Sequence, residues 1–556
     1  MKFQRIIILG TALSLIVAAQ LTSTVSFSAE TGSIPAPKQW SFNTIHEVPI
    51  QSGGRLKPLD SFGREVLLFE TGSRSFQSWD AADFLLSVLA FPESWLNVEF
   101  IQVSREDVRR QLGLDLKKTR FAPRELMANV ALAQYAQGMD GQQVSAPIAK
   151  TAKADPREQE LKRVIEKLTA FHRMISGEAW TLIPHASGNW KSIAENGPEG
   201  TEIRNSMARL VHAYQAEDRP QFELASQVLL DQIHKSAPQW SDSMASRIHV
   251  ESLYNRYRPF LWSWAIYVLG ALVWLLAFRW NLKSVALSLT GIAFLIQLAG
   301  ILMRCFVAGR PPVTNMYESI IWVSFGQAVF AGILYLIHRQ GILFLVSCVL
   351  AAAGLIAADA APAMMDPGLH PLVPVLRSNY WLTIHVLTIT LGYAALALTL
   401  GLGNVSLYYF TQADRAGVKV KIASINQLIY RAMQFGVVLL AAGTILGGIW
   451  ADYSWGRFWG WDPKEVWALI ALLCYLTILH ARFTGWVGQF GFAAWSVVSF
   501  LSVVMAWYGV NFVLGVGLHS YGFASGGMSS VAIFVGLQLA YVAWVGWKYK
   551  LASLLK

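Results

Sequence analysis

From Pro259 onward the chain is an almost unbroken series of apolar runs, separated by short polar or glycine-rich breaks. A helix needs about 20 apolar residues to cross the hydrocarbon core of a bilayer. Runs of that kind fall at roughly 260–278, 284–306, 317–337, 342–359, 381–410, 428–450, 465–481, 489–510 and 529–547. In lipid each backbone amide must be bonded within its own segment, so these runs are predicted to be helices. Composition agrees: 54% of residues are hydrophobic and 14% charged, against about 25% charged in a soluble protein. Several soluble domains and disorder are both excluded. The fold class predicted is an all-α polytopic membrane protein with about nine transmembrane helices.

Two regions precede the spans. Met1-Lys2-Phe3-Gln4-Arg5, an apolar run from Ile6 to Leu21 and the small residues Thr22–Ala29 have the pattern of a secretory signal. Residues 1–29 are therefore expected to be a signal peptide or membrane anchor that exports the region after it. Residues 30–258 contain no spanning run and hold most of the charge, and they read as a mainly helical extracytoplasmic domain. Helical spacing covers Arg124–Gln137, Pro156–Ile175, Thr201–Gln215 and Pro220–Lys235. Val48–Asp60 is turn-rich and reads as an ordered loop. The third region, 259–556, is the polytopic part.

The net charge of +10 is explained by topology rather than by nucleic acid. With the extracytoplasmic domain outside, nine spans put the C-terminus inside. Inside loops then carry Arg279, Lys283, Arg339, Arg415, Lys419, Lys421, Arg482 and the tail Lys548, Lys550 and Lys556. Outside segments carry fewer basic residues, in keeping with the positive-inside rule. No nucleic-acid-binding signature is present. Cys305, Cys348 and Cys474 lie far apart and form no CxxC, which argues against a disulfide framework or a thiol redox centre.

Ionisable groups near lipid are the first candidates for function. Five histidines qualify: His385 near the outer end of the fifth span, His519 in the outer loop after the eighth, His480 near the inner end of the seventh, His338 at an inner loop and His370 in an outer loop. Between His385 and His519 runs Trp450-Ala451-Asp452-Tyr453-Ser454-Trp455-Gly456-Arg457-Phe458-Trp459-Gly460-Trp461-Asp462-Pro463-Lys464-Glu465-Val466-Trp467. An interfacial aromatic belt is the plain reading of such residues, but a belt scatters its rings over many helix ends. Gathered in one loop (450–467), they read better as a shelf for a large flat ligand, with indole faces for contact and Gly456 and Gly460 for close backbone approach. Arg457 and Lys464 suit anionic substituents. Histidines on the same side suit axial ligation of haem iron. His385, His519 and His480 are the candidate ligands. His338 and His370 read as loop residues, and His46, His172, His185, His212, His234 and His249 as surface residues.

The segment Trp455–Trp467 resembles the WWD signature of haem-handling proteins. Continued through Leu479-His480-Ala481-Arg482 and Thr484-Gly485-Trp486, it is most similar to the CcsA/ResC branch of System II cytochrome c assembly. Pro311-Pro312-Val313-Thr314-Asn315-Met316-Tyr317-Glu318-Ser319, Trp381-Leu382-Thr383-Ile384-His385-Val386 and Leu518-His519-Ser520-Tyr521 extend the likeness over roughly 259–547. The resemblance implies that haem b (iron protoporphyrin IX) is held at the outer aromatic site and attached to the CxxCH of an apocytochrome c. On that basis His385 and His519 are external axial ligands, and Trp455, Gly456, Trp459, Gly460, Trp461, Asp462 and Trp467 cradle the ring. His480 resembles a transmembrane ligand of an earlier haem site. Its partner histidine has no match in this chain, which implies a separate CcsB/ResB-like subunit in the cytoplasmic (inner) membrane. The chain is thus expected to be the synthase (haem lyase) component, with no catalytic side chain of its own. Two other classes are weighed: a secondary transporter, for which paired broken segments are lacking, and a b-type haem electron-transfer subunit, which calls for histidine pairs stacked through the bilayer.

Overall fold

A computed structural model describes residues 36–142, 155–237, 241–360, 365–371, 379–515 and 527–554. The signal or anchor segment 1–29, His519 with its neighbours Leu518–Tyr521, and the terminal Lys556 lie outside the described residues. The chain divides into two compact units, one of 1–36 and 87–172, the other of 37–86 and 173–556. The stretch 30–258 contributes to both.

In chain order, α1 is Asn43–His46, β1 Pro49–Ser52, β2 Arg55–Pro58, α2 Leu59–Thr71, α3 Ala81–Ala90, α4 Pro92–Trp95, β3 Ile101–Gln102, α5 Glu106–Gln111, β4 Arg120–Phe121, α6 Pro123–Met127, α7 Val130–Gln142 and α8 Pro156–Ile175. Then come α9 Thr201–Gln215, α10 Arg219–Ser236 and α11 Asp242–Tyr257. The first unit is centred on Phe100, whose ring lies 5.5 Å from Trp95 and 5.6 Å from Phe171. The helices expected at Pro156–Ile175 and Thr201–Gln215 are found with those bounds. Proline at the first helical position explains where α6 and α8 begin.

Val48–Asp60 is not a loop. Pro49–Ser52 and Arg55–Pro58 pair antiparallel, Ser52 opposite Arg55, and Leu59 opens α2. The turn is Gly53-Gly54, with φ of 61° and 79°. A two-residue hairpin turn of this hand requires positive φ at both positions, which glycine adopts freely. Four-residue strands are too short to display alternation, so only the glycine pair signals them.

The spans follow as α12 Pro259–Ala277, α13 Lys283–Ala308, α14 Met316–His338, α15 Ile342–Ala360, α16 Asn379–Phe410, α17 Val418–Trp455, α18 Pro463–Phe483, α19 Gln489–Val498, α20 Phe500–Val504, a π-helix Met505–Leu514, and α21 Met528–Leu554. Among the described residues nine helical segments are long and apolar enough to cross a membrane. The protein is a polytopic all-α membrane protein. In the first segment α11 runs into α12 through Arg258, whose left-handed backbone (φ 46°) and the following Pro259 break the hydrogen-bond ladder. The eighth is not uniform: it starts as α-helix and ends in ten residues of π-helix, a form concentrated at functional sites.

Two apolar cores organise the spans. One, around Tyr267, Trp274, Ile321, Cys348 and Ala351, joins α12 to α15. The other, around Leu396, Leu398, Leu428, Met433, Tyr475 and Phe492, joins α14 and α16 to α19. The antiparallel pair α16–α17 is the closest: a Cβ on Gly443 would stand 2.7 Å from the backbone of Ile389. This contact brings the N-terminus of α16 to the C-terminus of α17, where the tryptophan loop begins.

Candidate functional site

His385 sits near the start of α16, half-buried against α17. Its Nδ1 lies 2.8 Å from the carbonyl oxygen of Gly443. A carbonyl only accepts, so Nδ1 carries the proton and donates. In the neutral ring Nε2 is then the nitrogen that carries the lone pair a metal requires. Gly447 makes room for the ring: a Cβ there would fall 2.7 Å from Cε1 of His385. The indole of Trp450, almost wholly buried, is parallel to the imidazole within 7°, at 6.1 Å between centroids. Trp455 meets Trp450 edge-on at 4.7 Å. One side of the site is therefore an imidazole held by a backbone carbonyl and backed by two indoles.

Gly456 ends α17 with φ 72°, its N–H donating to the Asp452 carbonyl at 2.8 Å. Asp462 opens α18: it accepts from the Lys464 N–H at 3.0 Å and forms a capping box with Glu465, with Pro463 next. Glu465 Oε2 accepts from the N–H groups of Gly460 (2.8 Å) and Asp462 (3.1 Å). Those two bonds straddle Trp461 and hold it at φ 56°, a conformation that costs a bulky residue roughly 1–3 kcal/mol. Its indole is 71% exposed and meets Trp459 edge-on at 5.9 Å. The strained backbone leaves Trp461 exposed. Trp459 and Trp467 are half-buried.

Gly460 lies beneath the Arg457 guanidinium, which fills the space a Cβ would take. That guanidinium also stands 5.9 Å from the Trp455 ring centroid. Phe458 packs on Gly448, where a Cβ would reach within 2.6 Å of its ring. Lys464 donates to Asn511 Oδ1 at 2.9 Å, tying the loop to the π-helix. At the root of the loop, Ser454 Oγ and Glu465 Oε1 are buried without a partner within the described chain. Buried polar atoms of this kind call for an external partner. A flat ligand with polar edges fits that donor and acceptor set.

His480 is elsewhere. It is exposed on α18, with Nδ1 2.7 Å from the Leu476 carbonyl. Eighteen residues from Asp462 at ~1.5 Å each put it roughly 27 Å along the helix, so it cannot share an iron with His385. Its Nδ1 is again the proton-bearing atom, and Nε2 is available. His338 lies in the last turn of α14. His370 bonds Asp366 Oδ2 at 2.8 Å through Nε2. That bond, more than the opposing burial, raises the His370 pKa. His46, expected at the surface, is engaged with Asp80 at 2.8 Å. Among the described residues no group of three or more His, Cys, Asp or Glu side chains is placed to hold a metal.

Four contributors escape a reading of the sequence. Gly443 and Gly447 matter because of a contact across 58 positions; their spacing of four on one helix face is the available signal. Trp450 falls with the loop by sequence but belongs to α17, where it backs the imidazole. Asn511 can be found only from the fold.

The family of cytochrome C assembly proteins matches residues 313–519. Protein NrfI of Wolinella succinogenes is 30% identical over 492 residues, covering 84% of this chain and 53% of that protein. The chain thus spans about half the length of this relative. Cytochrome c biogenesis protein CcsA of Chlamydomonas reinhardtii is 34% identical, covering 44% of this chain and 70% of that protein. CcsA of Prochlorococcus marinus is 32% identical, over 43% of this chain and 85% of that protein. A solved structure titled cytochrome c heme lyase CcmF aligns with a TM-score of 0.38 at 15% identity, over 56% of this chain and 52% of that one. By its tryptophan loop, the histidine before it and these relatives, the chain belongs to the CcsA family of cytochrome c biogenesis proteins.

Proposed function

We propose that this chain holds haem b at the tryptophan-loop end of its bundle and supports its covalent attachment to the CxxCH of an apocytochrome c. Haem is cargo here. His385 and His519 would be the axial ligands, with Trp455, Gly456, Trp459, Gly460, Trp461, Asp462 and Trp467 around the ring. The observation that carries the reading is the His385 imidazole, with Nδ1 bonded to the Gly443 carbonyl and a parallel indole behind it. Outer bonds of this type fix the tautomer and orientation of ligating histidines.

The client brings both thiols. Each S–H adds across a haem vinyl, sulfur to one carbon and hydrogen to the other, so no nucleophile is required from this chain. Its contribution is placement, and a bound near-attack geometry is worth ~7–11 kcal/mol. His480, with Nε2 available at the other end of α18, would ligate haem on its way through, paired with a histidine of a CcsB/ResB-like subunit. The same reading divides the chain into 1–29 as signal or anchor, 30–258 as the extracytoplasmic part and 259–556 as the membrane part. It sets the tryptophan loop outside the inner membrane and the C-terminus inside.

The test is co-expression with an apocytochrome c, with and without a CcsB/ResB-like partner, scored by haem staining. His385→Ala and His519→Ala are each expected to abolish maturation and the haem spectrum of the purified chain. Maturation retained in both single variants without added imidazole would overturn the proposal.

A further inference from the structure

The segment Met365–Pro371 joins α15 towards α16, and it has no regular structure to satisfy its backbone. Met365 and Leu369 are buried while Asp366 and His370 are exposed, so the segment lies along the surface with two side chains turned in. Four carbonyls of this stretch find side-chain donors from four places in the chain. Asn315 Nδ2 donates to Asp366 O at 3.1 Å, and Arg304 Nη1 to Pro367 O at 2.8 Å. Arg55 Nε donates to Leu369 O at 2.5 Å, and Arg310 Nη2 to His370 O at 2.9 Å.

Each guanidinium is itself fixed by a carboxylate. Arg55 pairs with Glu251 through two bonds of 2.7 Å, and Ser61 Oγ donates to the same carboxylate at 2.6 Å. Glu318 accepts from Arg304 at 3.0 Å, from Arg310 at 3.2 Å, and from Thr314 N (3.0 Å) and Oγ1 (2.7 Å). The Arg304–Glu318 pair is 1% exposed on both sides. Burying a charge pair is a weak route to stability, and its better-attested use is to specify one arrangement. Arginine suits the task, since its planar fork serves a carboxylate and a carbonyl at once.

Two motifs with no role so far thereby acquire one. Pro311–Ser319 supplies Thr314, Asn315 and Glu318. The hairpin Pro49–Pro58 supplies Arg55, and a Cβ on Gly54 would stand 3.5 Å from Pro371. The same motif reaches the π-helix, where Trp507 Nε1 donates to Ser319 Oγ at 3.0 Å. We infer that Arg55, Arg304, Arg310 and Asn315 form a carbonyl clamp that locks 365–371 onto the start of α14, and that α14 carries this order to α16. There Trp322 Nε1 donates to the Leu387 carbonyl at 3.5 Å, two residues from His385. The N-terminal hairpin is thereby a positioning part of the His385 site. This rests on the proposed haem site. The clamp residues touch neither cargo nor client, and they act through the helix that bears His385.

The test uses the full-length chain with Arg55→Ala, Arg55→Lys and His385→Ala, each purified and compared with wild type. Without haem, amide hydrogen exchange is followed in peptides covering 365–371. With haem, retention and the absorption spectrum are read with and without added imidazole. Arg55→Ala is expected to speed exchange in 365–371 and to weaken haem retention about 3- to 30-fold, the range of a residue coupled to a distant site. Imidazole should restore the spectrum. Arg55→Lys keeps a charge opposite Glu251 but lacks the fork, so a smaller change of the same kind is expected; it is the variant read where Arg55→Ala fails to accumulate. Unchanged exchange, or faster exchange with wild-type haem retention, overturns the clamp as a positioning device. Wild-type haem in His385→Ala would instead sink the haem-site reading and the clamp's role with it. Loss in His385→Ala with indifference in both Arg55 variants removes the inference alone.

Discussion

Gly447→Ala adds one methyl group to the wall behind the His385 ring. The new Cβ would lie 2.7 Å from Cε1 and 2.9 Å from Nδ1 of His385, inside contact distance, so the ring must swing away from α17. That movement breaks the 2.8 Å bond to the Gly443 carbonyl. Overpacking costs about 1–3 kcal/mol, and the hydrogen bond is worth about 0.5–1.5 kcal/mol. Replacing glycine by alanine inside a helix returns about 1 kcal/mol. The net loss, roughly 0.5–3.5 kcal/mol, leaves a folded protein. The effect on the ligand is larger than that on the fold, because losing an outer partner of a ligating histidine typically costs 10–100-fold in affinity. Haem retention on the purified chain should fall by that factor while thermal stability in detergent falls only by the loss worked out above, with the chain still folded. Gly436→Ala is the control. On the same helix as Gly447 but eleven residues earlier, it crowds Cδ2 and Cγ of the buried Leu396 and so overpacks the same helix pair away from the imidazole; it should leave haem untouched. Wild-type retention in Gly447→Ala, or equal loss in both variants, would refute the reasoning.

Three further outcomes are expected of the loop and the clamp. Trp461→Gly relieves the left-handed strain, so it is expected to raise thermal stability by roughly 1 kcal/mol while lowering haem retention; a variant less stable than wild type would contradict the strained-presentation account. Asp462→Ala removes the cap of α18 and should cost about 0.5–2 kcal/mol, whereas Asp462→Asn, an equally good cap, should melt like wild type. Protease resistance of the 365–371 segment should depend on pH through His370 and Asp366. The His370 pKa is raised, chiefly by the bond its ring donates to Asp366, so its contribution is complete below its ordinary value and lost as pH rises through the raised one. Burial, the largest single influence, pushes the Asp366 pKa up, but the His370 bond and charge, the Gly368 N–H and the Arg304 charge together outweigh it and the net direction is down; that contribution is lost as pH falls through the lowered value. Glu65 and Lys57 act on His370 with opposite sign, and His370→Gln should remove the alkaline loss.

The spans were legible because lipid imposes a length and a polarity that no packing detail can override. The seventh run, expected at 465–481, is found as Pro463–Phe483, two residues longer at each end, its start set by Asp462 and Pro463. Where tertiary contacts decide, local pattern says less. Nothing local marks Met505–Leu514 as π-helix, and its Trp507 and Asn511 are tied to Ser319 and Lys464 on other helices, contacts that no local window reveals. The hairpin escaped because strands of four residues carry too little pattern. At the site, His385 and the indoles were visible as residue types, and the carbonyl that aims the imidazole was not. The arginine clamp draws on positions 55, 304, 310 and 315 and has no signature in any one window.

The most direct measurement is the magnetic circular dichroism of the purified, haem-loaded chain, comparing wild type with His385→Ala and His519→Ala. The account expects two nitrogen axial ligands in wild type and no such signal from either variant until imidazole is supplied in place of the missing ligand. A two-nitrogen spectrum that persists unchanged in either variant would mean that the iron is held elsewhere.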